Sequence, residues 1–406
     1  MKQATSVQSF GIGRIWLVFI LGMLAAFGPL TMDMYLPGFL QIADDFQTNA
    51  SSVQLSLTAA LLGIACGQII VGPLSDAKGR KNPLLFALIF YIAASIFCVI
   101  SPNIWIFIIV RFFQGLAASA GVVISRAMVR DLYSGPELTK FFALLMLING
   151  LAPILAPVFG GFVLKYTDWY MIFVVLAFIG LIMLGTVKWV LPETLPEDHR
   201  MAPSLKQTFV TFYELLKDKN FIGFALVQGL LMAGMFAYIS GTPFIFQGIY
   251  GVSPQTYSFL FALNGLGLYI FTQVTGRLAG KIAEMKLLFA GLAISFAGSS
   301  LLLLMILIKA PLLFIVIPLF FAISSLGMTN TASFSLAMQK QGHRAGSASA
   351  LLGLLPFLLG AISAPLVGIA GKDTAVPLGI ILVCTSLGAL CSYFFLIKKA
   401  SSSESC

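Results

Sequence analysis

Asp33 is the one acid inside a long apolar stretch, in Gly28-Pro29-Leu30-Thr31-Met32-Asp33-Met34-Tyr35-Leu36-Pro37; the other fourteen lie in polar connections, at stretch ends or in the tails. An ionised Asp at the centre of a membrane helix costs about 2.5–3.5 kcal/mol even on the lenient insertion scale. Such a group persists if it faces a cavity, is paired, or is protonated part of the time. A carboxyl whose charge follows its surroundings is what proton coupling needs. The alternative is an acid already among the headgroups, about 28 Å along the first span from Arg14. Arg111, in Val110-Arg111-Phe112-Phe113-Gln114-Gly115, is the one base well inside a stretch. It needs acceptors, either Asp33, directly or through water, or Gln114 and freed carbonyls, and in both cases it is expected to face a central cavity.

Two further patterns carry chemistry. Gly72-Pro73-Leu74-Ser75-Asp76-Ala77-Lys78-Gly79-Arg80-Lys81 reads as a loop with one tight turn, one acid and three bases. Its acid can bond the N-terminus of a neighbouring helix, where the dipole favours negative charge, and Arg80 with Asp131 can form the other half of a latch. Ala152-Pro153-Ile154-Leu155-Ala156-Pro157-Val158-Phe159-Gly160-Gly161 places small residues at 152, 156 and 160 on one smooth face and adds two prolines. The face permits close helix approach and the prolines a bend, which suits packing and also suits sealing a cavity against leak. Tyr35, Gln114, Asn149, Gln228, Tyr238, Gln247 and Asn264 are polar or amphipathic residues in or at the ends of apolar stretches. They are candidates to line a substrate cavity, or to bond neighbouring helices.

The elements that must position these residues are membrane helices. The chain has 406 residues, 59% hydrophobic and 10% charged, with 36 Phe and 38 Gly. Soluble proteins carry roughly 25% charged residues, so ordinary soluble enzymes, nucleic-acid binders and secreted disulfide scaffolds are excluded. Twelve apolar stretches of spanning length follow one another, at about 15–37, 52–73, 83–100, 104–127, 141–164 and 170–190, then about 221–240, 257–276, 287–308, 312–335, 346–370 and 375–396. With the N-terminus inside, only Lys165, Lys309 and Lys372 of the 24 Lys and Arg fall on exterior connections, against twenty on the inner side. That bias predicts both termini in the cytoplasm.

The fold class is therefore an all-α polytopic membrane protein of twelve helices in two six-helix bundles. The division predicted is 1–191, a linker over 192–220, and 221–406. Ser204 and Gln207 make a capping-box pattern in the linker, and Leu205, Phe209, Phe212, Leu215 and Leu216 recur at helical spacing, which predicts a short amphipathic helix on the inner membrane surface. Gly276-Arg277-Leu278-Ala279-Gly280-Lys281 echoes the Gly72 loop at the equivalent place in the second half. No Cys or His cluster suggests a metal or disulfide framework, no G-x-x-x-x-G-K-[ST] suggests ATP-driven pumping, and no Ser/His/Asp set suggests an enzyme.

These residues resemble the major facilitator superfamily. Gly72, Leu74, Asp76, Gly79, Arg80 and Lys81 match its loop signature G-x-L-a-D-r-x-G-r-k, with Ala77 where a base is usual. Arg111, Gln114, Gly115, Ala117 and Ala118 match R-x-x-q-G-x-g-a-a, and Ala156-Pro157-Val158-Phe159-Gly160-Gly161 is similar to the antiporter signature G-P-x-x-G-G. With Asp33-Met34-Tyr35-Leu36-Pro37 and Ala345-Gly346-Ser347-Ala348-Ser349-Ala350, they resemble the bicyclomycin and chloramphenicol resistance branch of drug:proton antiporters. The resemblance implies a monomeric bacterial plasma-membrane exporter of small amphiphilic compounds, driven by proton entry and without a cofactor. It implies Asp33 as the responsive carboxylate, Arg111 as its electrostatic partner, and Asp76, Arg80 and Asp131 as a gating latch. Leu24-Ala25-Ala26-Phe27 lacks the second carboxylate of some multidrug relatives, which argues against divalent cations as substrates. Export of an endogenous metabolite by the same mechanism, or a non-transporting receptor or channel, are the alternatives.

Overall fold

The computed structural model describes residues 14–133, 135–200, 212–339, 341, 345–371 and 373–398. In hydrocarbon every backbone N–H and C=O must find its partner within the segment, so apolar stretches become helices. The first half contains α1 (Arg14–Asp33), α2 (Phe39–Asp45), α3 (Ala50–Lys78), α4 (Lys81–Val99), α5 (Ile104–Leu132), α6 (Gly135–Leu164) and α7 (Tyr170–Trp189). The second contains α8 (Lys219–Pro243), α9 (Pro254–Leu278), α10 (Glu284–Leu307), α11 (Leu312–Met338), α12 (Ala345–Leu366) and α13 (Val376–Ser392). Among the described residues eleven helical runs are long and apolar enough to cross a membrane, and the shorter apolar run Leu351–Leu366 lies where the eleventh span is expected.

Two local outcomes differ from the sequence reading. Residues 72–78 are not loop but the last turns of α3, and α5 likewise runs on through Asp131 to Leu132. Nothing in the Gly72 segment stops a helix before Gly79, which has φ +84°. The turn is thus only two residues, Gly79 and Arg80. Conversely, α1 ends at Asp33, before Leu36-Pro37-Gly38 forms a 3₁₀ turn, because proline lacks the donor that would continue the ladder. The acid therefore sits at a break in its span.

The chain divides into two compact units, Met1–Ile42 with Ala59–Ser204, and Ala43–Thr58 with Leu205–Cys406. In the first, α5 packs on α1 and α4, and α6 packs on α1. Gly115 lets α5 press on α3, since a Cβ there would stand 2.2 Å from the Ala60 carbonyl. In the second unit, Phe221, Leu231, Leu288, Leu292, Leu326 and Leu352 form a buried core. Phe212 and Leu215, at the end of the linker, are buried in that same core, so their apolar face is covered by protein, not by a membrane surface. The capping-box pattern Ser204/Gln207, with Leu205 and Phe209, lies outside the described residues.

Candidate functional site

Arg111 is fully enclosed within the first unit. Its Nη2 donates to the Thr31 carbonyl at 2.8 Å, and its Nη1 donates to Gln114 Oε1. Thr31 lies in the last turn of α1, where carbonyls lose their intrahelical donors. The guanidinium stacks on the Tyr35 ring at 4.1 Å and approaches the Phe173 ring at 5.5 Å. Gln114 Nε2 donates in turn to Ser95 Oγ at 2.8 Å, Ser95 Oγ to the Tyr91 carbonyl at 2.8 Å, and Tyr91 Oη bonds Thr31 Oγ1 at 2.9 Å. One arginine thus joins α1, α4 and α5.

This corrects the expectation that Arg111 faces a central cavity. Acceptors inside the bundle hold it, and Asp33 is not among them. Tyr35 and Gln114, read as cavity lining, are fully buried parts of the same arrangement. Asp33 is also buried, at 4% exposure, and its Oδ1 has no hydrogen-bond partner. The break after Asp33 is pressed by α6: a Cβ on Gly160 would stand 1.8 Å from the Met34 carbonyl. Ala156, on the same face, is fully buried. Ala152, Pro153, Pro157 and Gly161 complete the stretch of α6 that carries the face. Gly160→Ala should cost about 1–3 kcal/mol, as overpacking against rigid backbone does, and appear as a lower melting temperature of the purified protein.

The Arg80 latch forms within the first unit. Arg80 Nε donates to Asp131 Oδ2 at 2.9 Å, and Nη1 donates to Asp76 Oδ1 and to Ser75 Oγ. Burial works against the charge, but the two carboxylates outweigh it and raise the guanidinium's proton affinity further. Gly72 has open space beside it, so these contacts do not require a glycine there.

The member the sequence reading missed is Glu193, just past α7. Its Oε1 accepts from the backbone N–H of Arg80 at 2.8 Å, and its Oε2 from that of Lys81 at 3.0 Å. Thr194 and Leu195 donate their N–H groups to the same carboxylate, and Thr194 Oγ1 donates to Asp131 Oδ2. Glu193 therefore caps the start of α4. Gly79 is required twice over, by its left-handed φ and because a Cβ would meet Glu193 Oε2 at 2.5 Å. The available signal was an acid next to a span end in Pro192-Glu193-Thr194.

Burial alone pushes the Glu193 carboxyl up, but its four amide donors prevail and hold it below the usual range. A depressed carboxylate stabilises the fold above its unfolded value, about 4.3, and that contribution is lost as pH falls through the folded value. Glu193→Gln should therefore melt below the native protein near pH 7, with the gap closing between about pH 5 and 3.

The second unit bonds its own linker-side ends differently. Asp218 caps α8 through the N–H groups of Asn220 and Phe221 and accepts from Gln341 Nε2 at 2.8 Å. Glu284 at the start of α10 accepts from Ser335 Oγ and Gln339 Nε2 on α11 and its end. Gly280 is left-handed like Gly79, at φ +81°. The remaining cavity candidates are dispersed. Asn149 donates to the Leu145 carbonyl of its own helix, and Tyr238 stacks on Phe261 at 5.4 Å. Asn264 is buried with Nδ2 on the Leu260 carbonyl and Oδ1 unpartnered, while the unpartnered Gln228 Oε1 belongs to a half-buried side chain.

Residues 15–365 match the Major Facilitator Superfamily. The chain belongs to that family. It is accordingly a multi-pass membrane protein of a transporter superfamily. It is 49% identical over 391 residues to an uncharacterized MFS-type transporter of Bacillus subtilis, YdgK, covering 96% of this chain and 97% of that one. It is 30% identical to a bicyclomycin resistance protein homolog of Haemophilus influenzae, over 94% and 96% of the two chains. Among solved structures, a bacterial homolog of the human lysosomal transporter Spinster, inward-facing and unoccupied, aligns with TM-score 0.75 at 13% identity, covering 95% of this chain and 96% of that one. That likeness shows the major facilitator fold.

Proposed function

We propose that this transporter exports small amphiphilic compounds, neutral or weakly cationic, in exchange for protons. The observation that carries the reading is Asp33, a carboxyl group buried at a break in the first span with Oδ1 unpartnered. A buried carboxyl with no fixed cation gains or loses its proton at low structural cost when its surroundings change, which is the property an exchange site needs. The resemblance to the bicyclomycin and chloramphenicol resistance branch, and the printed name of the Haemophilus relative, support the class of compound. In this reading the protein is monomeric and lies in a bacterial plasma membrane with both termini inside. The bundles 1–191 and 221–406, tethered by 192–220, work by alternating access, and the Asp76–Arg80–Asp131 latch opens and closes with each cycle.

The test is export of chloramphenicol from proteoliposomes under an imposed pH gradient. Flux should rise with the gradient and collapse when an ionophore dissipates it. Flux indifferent to the gradient overturns antiport.

A further inference from the structure

In the second unit, three polar oxygens without partners lie along one seam between α8 and α11. Asn330 Nδ2 of α11 donates to Met232 Sδ of α8 at 3.3 Å, which fixes the level at which the two helices meet. Successive spans alternate in direction, so α8 and α11 run opposite ways. The turn before Met232 on one therefore faces the turn after Asn330 on the other. Those turns hold Gln228 and Ser333. Gln228 Oε1, Asn330 Oδ1 and Ser333 Oγ are each buried with no hydrogen-bond partner. Leaving a buried oxygen unpaired is costly, and a protein carrying three within one turn along the same seam has kept them against that cost.

The seam is also reachable. Gln228, Met232, Met235 and Asn330 retain partial exposure, whereas Ser333 at the inner end of the seam and Val227, Leu231 and Ala233 beside it are buried. Charge adds a constraint on what can bind. Apart from Lys219 at the first position of α8, neither helix carries a charged side chain. Carboxamide oxygens accept hydrogen bonds, so the complement is a neutral N–H or O–H. The two methionines offer a soft, adaptable surface to an adjoining apolar group.

We propose that the Gln228–Asn330–Ser333 seam is a substrate subsite receiving neutral hydrogen-bond donors, amide N–H or hydroxyl groups, while Met232 and Met235 take the apolar portion beside them. The inference rests on the export reading and names the group chemistry that reading leaves open.

Equilibrium binding to the full-length protein in lipid nanodiscs tests it, with two labelled probes. One is chloramphenicol, which carries an amide N–H and free hydroxyls; the other is its acetylated derivative with both hydroxyls acetylated and the amide nitrogen methylated, so that every donor the seam could receive is masked. The native protein should bind the parent compound more tightly. Gln228→Met and Asn330→Leu should each weaken the parent about threefold to tenfold, the worth of one such hydrogen bond, and leave the acetylated probe unchanged. Both variants should melt at or above the native temperature, since each removes a buried unpaired oxygen. A merely structural role would instead lower the melting temperature and weaken both probes alike. Native binding that ignores the masking, or variants that bind as the native protein does, overturns this inference alone. Binding of neither probe overturns it together with the export reading, and gradient-independent flux with the donor preference intact overturns only the antiport mechanism.

Discussion

Asp33→Asn abolishes concentrative export while leaving the protein folded. One proton exchanged per substrate holds about a tenfold concentration ratio per unit of pH gradient, because one pH unit corresponds to about 1.36 kcal/mol. Under a two-unit gradient, about a hundredfold ratio should therefore fall to one in the variant, with only downhill flux remaining. Asparagine matches the shape of the acid and removes its charge. Because Oδ1 of the native carboxylate has no partner, the variant strands no donor that was bonded to it there. Its melting temperature should equal or exceed the native value, as when a buried, unpaired ionisable group is neutralised. The measurement is substrate accumulation against the imposed gradient, with a thermal melt on the same preparation. Accumulation equal to that of the native protein removes Asp33 from the coupling role.

The second large effect is expected at Arg111, and it inverts ordinary expectations of conservative change. Arg111→Lys keeps the charge, yet a single ammonium cannot serve Gln114 Oε1 and the Thr31 carbonyl together, nor lie flat on Tyr35. Losing a charge-assisted hydrogen bond costs about 1.5–3 kcal/mol, and the lost stacking adds about 0.5–2 kcal/mol. The lysine variant should thus be destabilised by about 2–5 kcal/mol. Arg111→Met fills similar volume and removes the cation, and with it the cost of burying a charge that has no anion beside it. Methionine should be the milder substitution in a thermal melt and lysine the harsher. A lysine variant that melts with the native protein would show that the fork of bonds to two helices is not what holds α1 against α5.

The residues that stood out in the sequence did so because charge is scarce in a bilayer. Asp33 and Arg111 were visible as charges out of place, the Arg80–Asp131 latch as an acid and bases patterned with glycines in a short connection, and the spans as runs long enough to cross. What charges pair with was less visible. Arg111 takes a backbone carbonyl at the end of α1, and every residue has a carbonyl, so no side-chain pattern announces which one is free. Tyr35 was a candidate for cavity lining, or for bonding a neighbouring helix, because it is an amphipathic residue at the end of a span; it lies flat beneath a guanidinium. Glu193 escaped because the two amide protons that make it a cap for α4 belong to residues more than a hundred positions away, and no residue type encodes a helix start as an acceptor's target. The ends of α3 and α5 were set too early because spans were measured against the hydrocarbon, and helices continue beyond it until a residue such as Gly79 turns the chain.

The linker-side ends have a consequence for how such a gene can change. The first unit fastens its end with Arg80, Asp131 and Glu193, all on its own side of the division, and the second does so with Asp218, Glu284 and Gln341 on its side. The last anchor of one set and the first of the other stand at 193 and 218, and just inside them Thr194 and Leu195 bond the first set while Phe212 and Leu215 are buried in the second unit's core. Each unit's anchors should therefore resist replacement even by their nearest chemical neighbours, and insertions placed at Thr194 or between Phe212 and Asp218 should be selected against as strongly.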